Sequence, residues 1–274
     1  MAFSRRPNAN VTIFWTTNTN THNLLVITQS IYIWTQLVYF KGGFMYVRKI
    51  VCLANSRKPP SGRCIAGKVT EGSHAGQWLR PVSTRPSKEV SEEERRYENG
   101  QRANILEYIQ IPLIAPDPIG HQTENAILAD NYYWTQHGRA TWSELNTLID
   151  PYQENFWTTA ESTHYGMNDK ISERAAQRIN SSLKLIKPEN LQIQILSEEG
   201  YQGAPNRKRV RSSFCYHGRR YILSVTDPFI EEHYLSREIG HYAIERSLMC
   251  VSLAEVWNGY AFRLAASIIT PERC

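Results

Sequence analysis

Short runs of alternating or β-branched apolar residues recur beyond residue 44 and predict strands. The first three are VRKIVCLA (47–54), RCIAGKVT (63–70) and WLRPV (78–82), and the breaker clusters NSRKPPSG and EGSHAG separate them. A fourth run, NILEYIQIPLI (104–114), alternates apolar and polar residues as a half-buried strand does. Between these runs, SKEVSEEERRYE (87–98) is polar and acid-rich at its start, which predicts a helix.

The last third of the chain returns to strand patterns. LQIQIL (191–196) alternates strictly, and KRVRSSFCYHG (208–218) with RRYILSVTDP (219–228) predicts a hairpin that turns at His217-Gly218. A second hairpin is predicted at Asn258-Gly259, because Asn-Gly between two apolar runs is the strongest short hairpin signal.

Two further segments predict helices in the middle and last parts of the chain. TWSELNTLI (141–149) begins with Thr141 as a cap and has Glu144 at the capping-box position. FIEEHYLSREIGHYAIE (229–245) follows Asp227-Pro228, which suit the cap and the first helical turn.

Strands cluster at both ends of this pattern, with only one or two helices inserted into each half. That arrangement is typical of small barrels, whereas a doubly wound sheet would alternate strand and helix regularly. We therefore predict a mainly β protein with inserted helices (α+β). Its first barrel spans 45–125, a loop-rich connecting region with short helices spans 126–189, and its second barrel spans 190–274.

Residues 1–44 differ in composition from the rest of the chain. They contain no Asp or Glu, although the chain has 26 acidic residues, and they are rich in Asn and Thr. One codon spelling of Lys41-Gly42-Gly43-Phe44 places the ribosome-binding sequence AAAGGAGG just before the codon of Met45. We therefore predict that 1–44 are a non-native leader or a disordered segment, and that a chain starting at Met45 folds.

A membrane segment at 23–40 is the alternative interpretation of the N-terminal part. This stretch is mostly apolar but contains several Asn, Thr, Gln and Ser residues, and a spanning helix needs roughly 20 predominantly apolar residues. The chain has five cysteines at wide spacings and no C-x-x-C pair. We therefore expect a reducing, cytoplasmic location, no membrane association and no structural metal.

The net charge of +5 includes Arg5, Arg6 and Lys41, so it falls to about +2 beyond residue 44. Overall charge therefore does not indicate a nucleic-acid partner, and only local clusters of basic residues can do so.

Several motifs resemble a bacterial family described as a dual OB-fold domain. They are KIVCLANSRKPPSGRCIAGKV, WLRPVS, HQTEN (121–125), YILSVTDP and VSLAEVWNGYAFRLAA, and the resemblance runs from about Val47 to the C-terminus. The resemblance implies two OB-like barrels and suggests nucleic-acid or nucleotide binding. It supplies no catalytic residues.

Two candidate nucleic-acid contacts lie in the first half of the chain. Arg57, Lys58 and Arg63 surround the turn between the first two strands, a loop that borders the usual ligand face of an OB-fold. The alternative is a solvated turn. Trp78 and Arg80 share one face of a strand, where they would stack a base and contact a phosphate. The alternative is a core tryptophan with Arg80 in a buried salt bridge.

The densest basic stretch, with interleaved aromatic residues, is in the second half. Strand alternation places Arg207, Arg209 and Arg211 on one face. We expect this stretch to contribute most of any nucleic-acid affinity; the alternative is a basic loop that leads into a core strand. The candidate residues are Arg207, Lys208, Arg209, Arg211, Phe214, Tyr216 and Tyr221.

A polar set, His121, Glu124, Asn125 and Asp169, suits a hydrogen-bonded network that holds a loop or the junction between the barrels. The alternative is acid-base or metal chemistry by His121, Glu124 and Asp169.

The predicted function is therefore a non-catalytic binding module for single-stranded DNA or RNA, or for a nucleotide, in a bacterial defence or stress context. No cofactor is expected. A protein–protein adaptor, with partners from the same operon, and a nucleic-acid- or nucleotide-processing enzyme are the alternatives.

Overall fold

The computed structural model describes residues 3–6, 38–40, 43–151, 157, 161–199 and 205–274. Strands dominate the described part, and they form two sheets that each follow an OB-type order. The predicted fold class, a mainly β protein with two OB-like barrels and inserted helices, is confirmed.

The first barrel is a closed ring of five strands. They are β2 (Gly43–Lys58), β3 (Gly62–Val69), β4 (Trp78–Val82), β5 (Glu107–Pro116) and β6 (Asn125–Leu128). The order is β2-β3-β4-β6-β5, and β5 pairs back onto β2. Closure is possible because β2 is long: residues 46–51 pair with β5, and residues 50–58 pair with β3 on both sides of a bulge between Cys52 and Ala54. At the edges, β1 (Val38–Phe40) pairs with β2, and β7 (Thr135–Arg139) pairs with β5.

The second barrel repeats this order with a divided first strand. Its strands are β9 (Leu183–Ile186), β10 (Glu189–Glu198), β11 (Arg207–Tyr216), β12 (Arg219–Val225), β14 (Leu248–Leu253) and β15 (Tyr260–Ile269). The sheet runs β10-β11-β12-β15-β14-β9, and β9 leads into β10 through Lys187-Pro188. β12 and β15 are parallel, as are β4 and β6. The short strands β8 (Lys170–Ser172) and β13 (Gly240–Ala243) pair with β15 and β10.

The predicted domain limits, with the first barrel at 45–125 and the second at 190–274, stay a prediction. In the structure, the strands of the first barrel end with β6 at Leu128, and those of the second begin with β9 at Leu183.

Three α-helices are described: α1 (Trp142–Thr147), α2 (Glu173–Ala176) and α3 (Pro228–Leu235). The capping box of Thr141 and Glu144 is present at α1, and Asp227 caps α3, as predicted. However, α3 is shorter than the predicted helix over 229–245, because residues beyond it form β13 and pair with β10.

The helix predicted over 87–98 is wrong. This segment forms turns and isolated bridges, because its backbone bonds elsewhere: Val90 exchanges hydrogen bonds with Arg63 of β3. Its acidic side chains also pair with arginines; Glu92 contacts Arg95 and Arg102. The contacts with arginine and with β3 therefore replace the helical hydrogen bonds.

Both predicted hairpin turns are confirmed. His217 and Gly218 have φ values of 47° and 74°, and Asn258 and Gly259 have 47° and 77°. Positive φ at both central residues is what a two-residue hairpin turn requires.

One part of the second barrel completes the apolar core of the first. Side chains of the second barrel that are buried in the first core are Leu183, Leu185, Leu248, Cys250, Ala266 and Ile269. A second core lies inside the second barrel, around Phe214, Leu223 and Val251. The two barrels therefore share apolar surface.

The leader prediction for residues 1–44 stays a prediction. β1 pairs with β2, and Arg6 donates hydrogen bonds to the carbonyl oxygens of Glu93, Glu94 and Tyr132. Residues 7–37 lie outside the described residues, as does most of the membrane segment considered at 23–40. Across the described ranges, no helix has the length and apolar character needed to span a membrane.

Candidate functional site

The basic loop of the first barrel is paired with acidic residues of the second. Arg57 Nε lies 2.6 Å from Glu231 and its Nη2 lies 2.8 Å from Glu232. Lys58 Nζ lies 2.8 Å from Glu255. These cations therefore join the two barrels, and a phosphate would have to compete with three carboxylates for them.

Arg63 and Trp78 are also engaged within the protein. Arg63 Nε lies 3.2 Å from Glu92, and Trp78 Nε1 donates a hydrogen bond of 3.1 Å to Asp150. Trp78 remains half-buried, so part of its ring is open to solvent.

Arg80 forms the centre of the junction between the barrels. Its side chain is 2% exposed and lies 3.1 Å from Glu124. It donates hydrogen bonds to Asn125 (3.2 Å) and, across the junction, to Ser182 (2.8 Å) and Ser252 (3.3 Å). Glu124 also accepts a hydrogen bond from the Ser182 hydroxyl. The geometry is that of the buried salt bridge, the alternative given by the sequence.

The loop that contains HQTEN continues this junction. His121 Nε2 donates to the carbonyl oxygen of Ala254 (2.9 Å), and Gln122 Nε2 donates to that of Leu253 (3.3 Å). Burial lowers the pKa of His121 below its usual value of 6.5, so the imidazole is neutral at pH 7. A neutral histidine with its Nε2 proton held by a carbonyl fits a structural role.

Asp169 belongs to a different network. Its carboxylate accepts hydrogen bonds from the backbone nitrogen (2.8 Å) and the hydroxyl (2.6 Å) of Thr163, and its backbone oxygen accepts from the nitrogen of Arg263. None of the hydrogen bonds described for Asp169 involves His121 or Glu124. The structure therefore brings His121, Glu124 and Asn125 together but places Asp169 within the second barrel.

The basic stretch of the second half lies on β11, the second strand of its barrel. Arg207 and Arg209 are exposed on its outward face, and no carboxylate pairs with either among the described residues. Arg211, on the same face, is buried against Glu198, and Lys208 Nζ donates to the carbonyl oxygen of Arg237. Only part of the predicted basic set is therefore open to a ligand.

Arg220 on β12 extends this surface and was missed from the sequence. It is exposed and pairs in register with Cys215, so it shares the outward face of β11 with Arg207 and Arg209. Its guanidinium contacts only the Ser213 hydroxyl, at 3.4 Å, among the described residues. The hairpin turn at 217–218 could have revealed it, because the turn sets the register. We call Arg207, Arg209 and Arg220 the β11–β12 arginine face.

The aromatic residues of this hairpin point into the barrel. Phe214, Tyr216 and Tyr221 are buried, and the rings of Phe214 and Tyr221 stack with centroids 5.4 Å apart. They cannot stack on a base without leaving the core. An aromatic ring that is open for base stacking is that of Trp257, which is 62% exposed in the loop between β14 and β15. The sequence marked this residue only as part of a hairpin turn.

Metal-ligand clusters are not found in the described ranges, where no three His, Cys, Asp or Glu side chains come together to hold an ion.

Comparison with known proteins places the chain by its sequence. A family model described as Dual OB-containing domain matches residues 48–268, from β2 to β15. No curated protein and no solved structure matches. The match covers both barrels and confirms the resemblance of the sequence motifs.

Proposed function

Because the chain belongs to the dual OB-containing domain family, we propose that it is a non-catalytic binding module that binds single-stranded nucleic acid on its β11–β12 arginine face. In OB-folds, the second and third strands and the loops after the first and fourth strands bind oligonucleotides. β11 and β12 are the second and third strands of the second barrel. The observation that carries the proposal is the pair of exposed arginines, Arg207 and Arg209, for which the described residues supply no paired carboxylate.

The second barrel is the better candidate of the two. Its outward cations, Arg207 and Arg209, are exposed and form no ion pair within the described ranges, whereas Arg57 and Lys58 of the first barrel are bound to acidic residues. Phosphates of a nucleic acid that bound Arg57 or Lys58 would have to displace Glu231 or Glu255 from these cations. The first barrel's basic loop is therefore better suited to holding the barrels together.

An exposed ring is available for base stacking on the loop after the fourth strand, one of the two loops that bind oligonucleotides in OB-folds. Trp257 lies between β14 and β15, which are the fourth and fifth strands of the second barrel. Single strands expose base faces that stack on such rings, whereas a duplex hides them. The combination of exposed arginines and an exposed tryptophan therefore favours a single strand.

Binding of labelled single strands at several salt concentrations tests the proposal. We expect Arg207→Gln with Arg209→Gln to weaken binding, because each contact to a phosphate releases a counterion. The slope of log affinity against log salt should become shallower by roughly 1.4, or about 0.7 per contact. Arg102→Gln is the matched control, since Arg102 is exposed but paired with Glu92 in the first barrel.

Trp257→Ala in the same assay should cost about 1–3 kcal/mol of binding free energy without changing the salt slope. Melting curves of each variant establish that the protein is still folded. If the double arginine variant is folded and keeps both affinity and slope, the β11–β12 arginine face does not bind the strand.

A protein–protein adaptor is the second candidate, and exposed apolar side chains favour it. Val256 and Trp257 are exposed side by side, and Phe229 and Ile239 are also exposed. If Trp257→Ala leaves binding of single-stranded nucleic acid intact, this ring does not stack a base, and the adaptor becomes the better candidate for this loop. The enzyme alternative and the defence or stress context stay predictions, and the neighbouring genes test the latter.

A further inference from the structure

A second opening, in the first barrel, has the lining of a small-molecule site. The groove has a volume of about 420 Å³ and lies where the start of β2, the loop between β3 and β4, and the start of β6 meet. Binding sites for small molecules have volumes of roughly 300–1,000 Å³. Three rings line it, those of Tyr46, His74 and Trp78.

The charge in this groove is positive. Arg48 lines it, and its guanidinium stacks 4.9 Å from the Tyr46 ring centre and donates one hydrogen bond, to the Val47 carbonyl oxygen. No carboxylate pairs with Arg48 within the described part of the chain. The acidic residue of the lining, Glu124, is already bound to Arg80.

The rings of the groove are held in place before any ligand arrives. Trp78 donates its indole N–H to Asp150, which fixes the ring, and the guanidinium of Arg48 lies over Tyr46. At the rim, the side-chain oxygen of Gln77 accepts a hydrogen bond from Nδ1 of His74 at 3.0 Å, so its amide hydrogens stay available to a ligand. Rings that are already oriented bind a flat ligand at a smaller entropic cost.

A contrasting cavity lies between the barrels and lacks these properties. It measures about 200 Å³ and is lined by Arg57, Lys58 and Arg80, among others. All three of these cations pair with carboxylates. Of these two openings, the groove of the first barrel is the one in which a cation without a carboxylate partner among the described residues lies beside partly exposed rings.

We propose that this groove binds a nucleoside monophosphate, with the base between Tyr46 and Trp78 and the phosphate on Arg48. Aromatic rings accept any nucleobase face, and a guanidinium forms paired, charge-assisted hydrogen bonds with phosphate. The site is in the first barrel and is independent of the β11–β12 arginine face. It goes beyond the proposed function, since a chain that does not bind single strands could still hold a nucleotide here.

Isothermal titration of the full chain with AMP, adenosine and inorganic phosphate tests this site. We expect AMP to bind more tightly than adenosine, and phosphate alone to bind weakest. Arg48→Gln should weaken AMP binding about tenfold and leave adenosine binding unchanged, because it removes only the contact to the phosphate. Arg48→Lys should restore part of the loss.

Substitutions of the rings should act on both ligands. Tyr46→Leu and Trp78→Leu should each weaken AMP and adenosine by roughly tenfold, because both ligands carry the base. Tyr46→Leu is the safer variant, since Trp78 also bonds to Asp150 and its loss could destabilise the fold. Melting curves separate the two effects.

Arg209→Gln is the matched control and should leave AMP affinity unchanged. A loss of strand binding in that variant with full AMP binding would show that the two sites are separate. The site is overturned if neither AMP nor adenosine gives saturable binding, or if the folded Arg48→Gln protein binds AMP as tightly as the wild type. Neither result would bear on strand binding by the second barrel.

Discussion

At the scale of single residues, surroundings decide what a basic side chain does. Arg80, Arg207 and Arg209 are all arginines on strands, yet Arg80 is 2% exposed and bonded across the junction, whereas the other two face solvent. Breaking a buried ion pair leaves an uncompensated charge in the protein, which is far more costly than losing an exposed pair. Arg80 therefore stabilises the fold, and Arg207 and Arg209 are available to a ligand.

We predict that Arg80→Met lowers the free energy of unfolding by about 3–5 kcal/mol, because Glu124 stays buried without its partner. Adding Glu124→Met should recover part of this loss, since no charge is then left in the junction. Urea unfolding measures both. Arg102→Met, which breaks an exposed pair with Glu92, is the control and should cost less than about 1 kcal/mol. Equal losses at Arg80 and Arg102 would contradict the role of burial.

At the scale of elements, local signals set the helix starts and tertiary contacts set the ends. Asp227 accepts hydrogen bonds from Phe229 and Ile230 at the start of α3, as a cap does. It is also buried, and its second oxygen accepts from the nitrogen of Ile268 (3.1 Å) and from Arg273 (2.6 Å). One carboxylate thus joins α3 to β15 and to the C-terminal end of the chain.

We predict that Asp227→Ala destabilises the protein by more than about 2 kcal/mol, because it removes a cap and leaves buried donors without an acceptor. Thr141→Ala is the matched variant: it removes an exposed cap from α1 and should cost about 1 kcal/mol. Thermal and urea unfolding of both variants give the comparison. A loss at Asp227 no larger than that at Thr141 would show that its contacts with Ile268 and Arg273 add nothing.

At the scale of the whole molecule, the two barrels depend on one core. Leu185 belongs to β9 of the second barrel but is buried in the first core, and Lys68 of the first barrel bonds to Asp150, which accepts from the nitrogen of Leu185. Apolar contact across the junction is the kind that makes domains unfold together.

We predict that the protein unfolds in a single transition, and that Leu185→Ala, which should cost roughly 2–5 kcal/mol, lowers hydrogen-exchange protection in both barrels. Amides of β3 and β11 report the two barrels separately. Two transitions in urea, with β3 affected and β11 not, would show that the barrels are independent domains despite the shared core.

The sequence by itself determined most of the strands, both hairpin turns and the helix caps. These features depend on residues that are neighbours in the sequence. Alternation places Val210 and Phe214 on the buried face of a strand, and Asn258-Gly259 allows positive φ in both turn residues. Such patterns involve only short stretches of sequence, so they predict local structure without information about the rest of the chain.

Only the tertiary structure decided which basic residues are open to a ligand. Arg57 and Arg209 look alike in sequence, but Arg57 meets Glu231 from a helix far along the chain, and no carboxylate among the described residues meets Arg209. The helix expected over 87–98 failed for the same reason, since Val90 found its hydrogen-bond partner in β3. Partners that are distant in sequence set both burial and charge pairing, and local patterns carry no information about them.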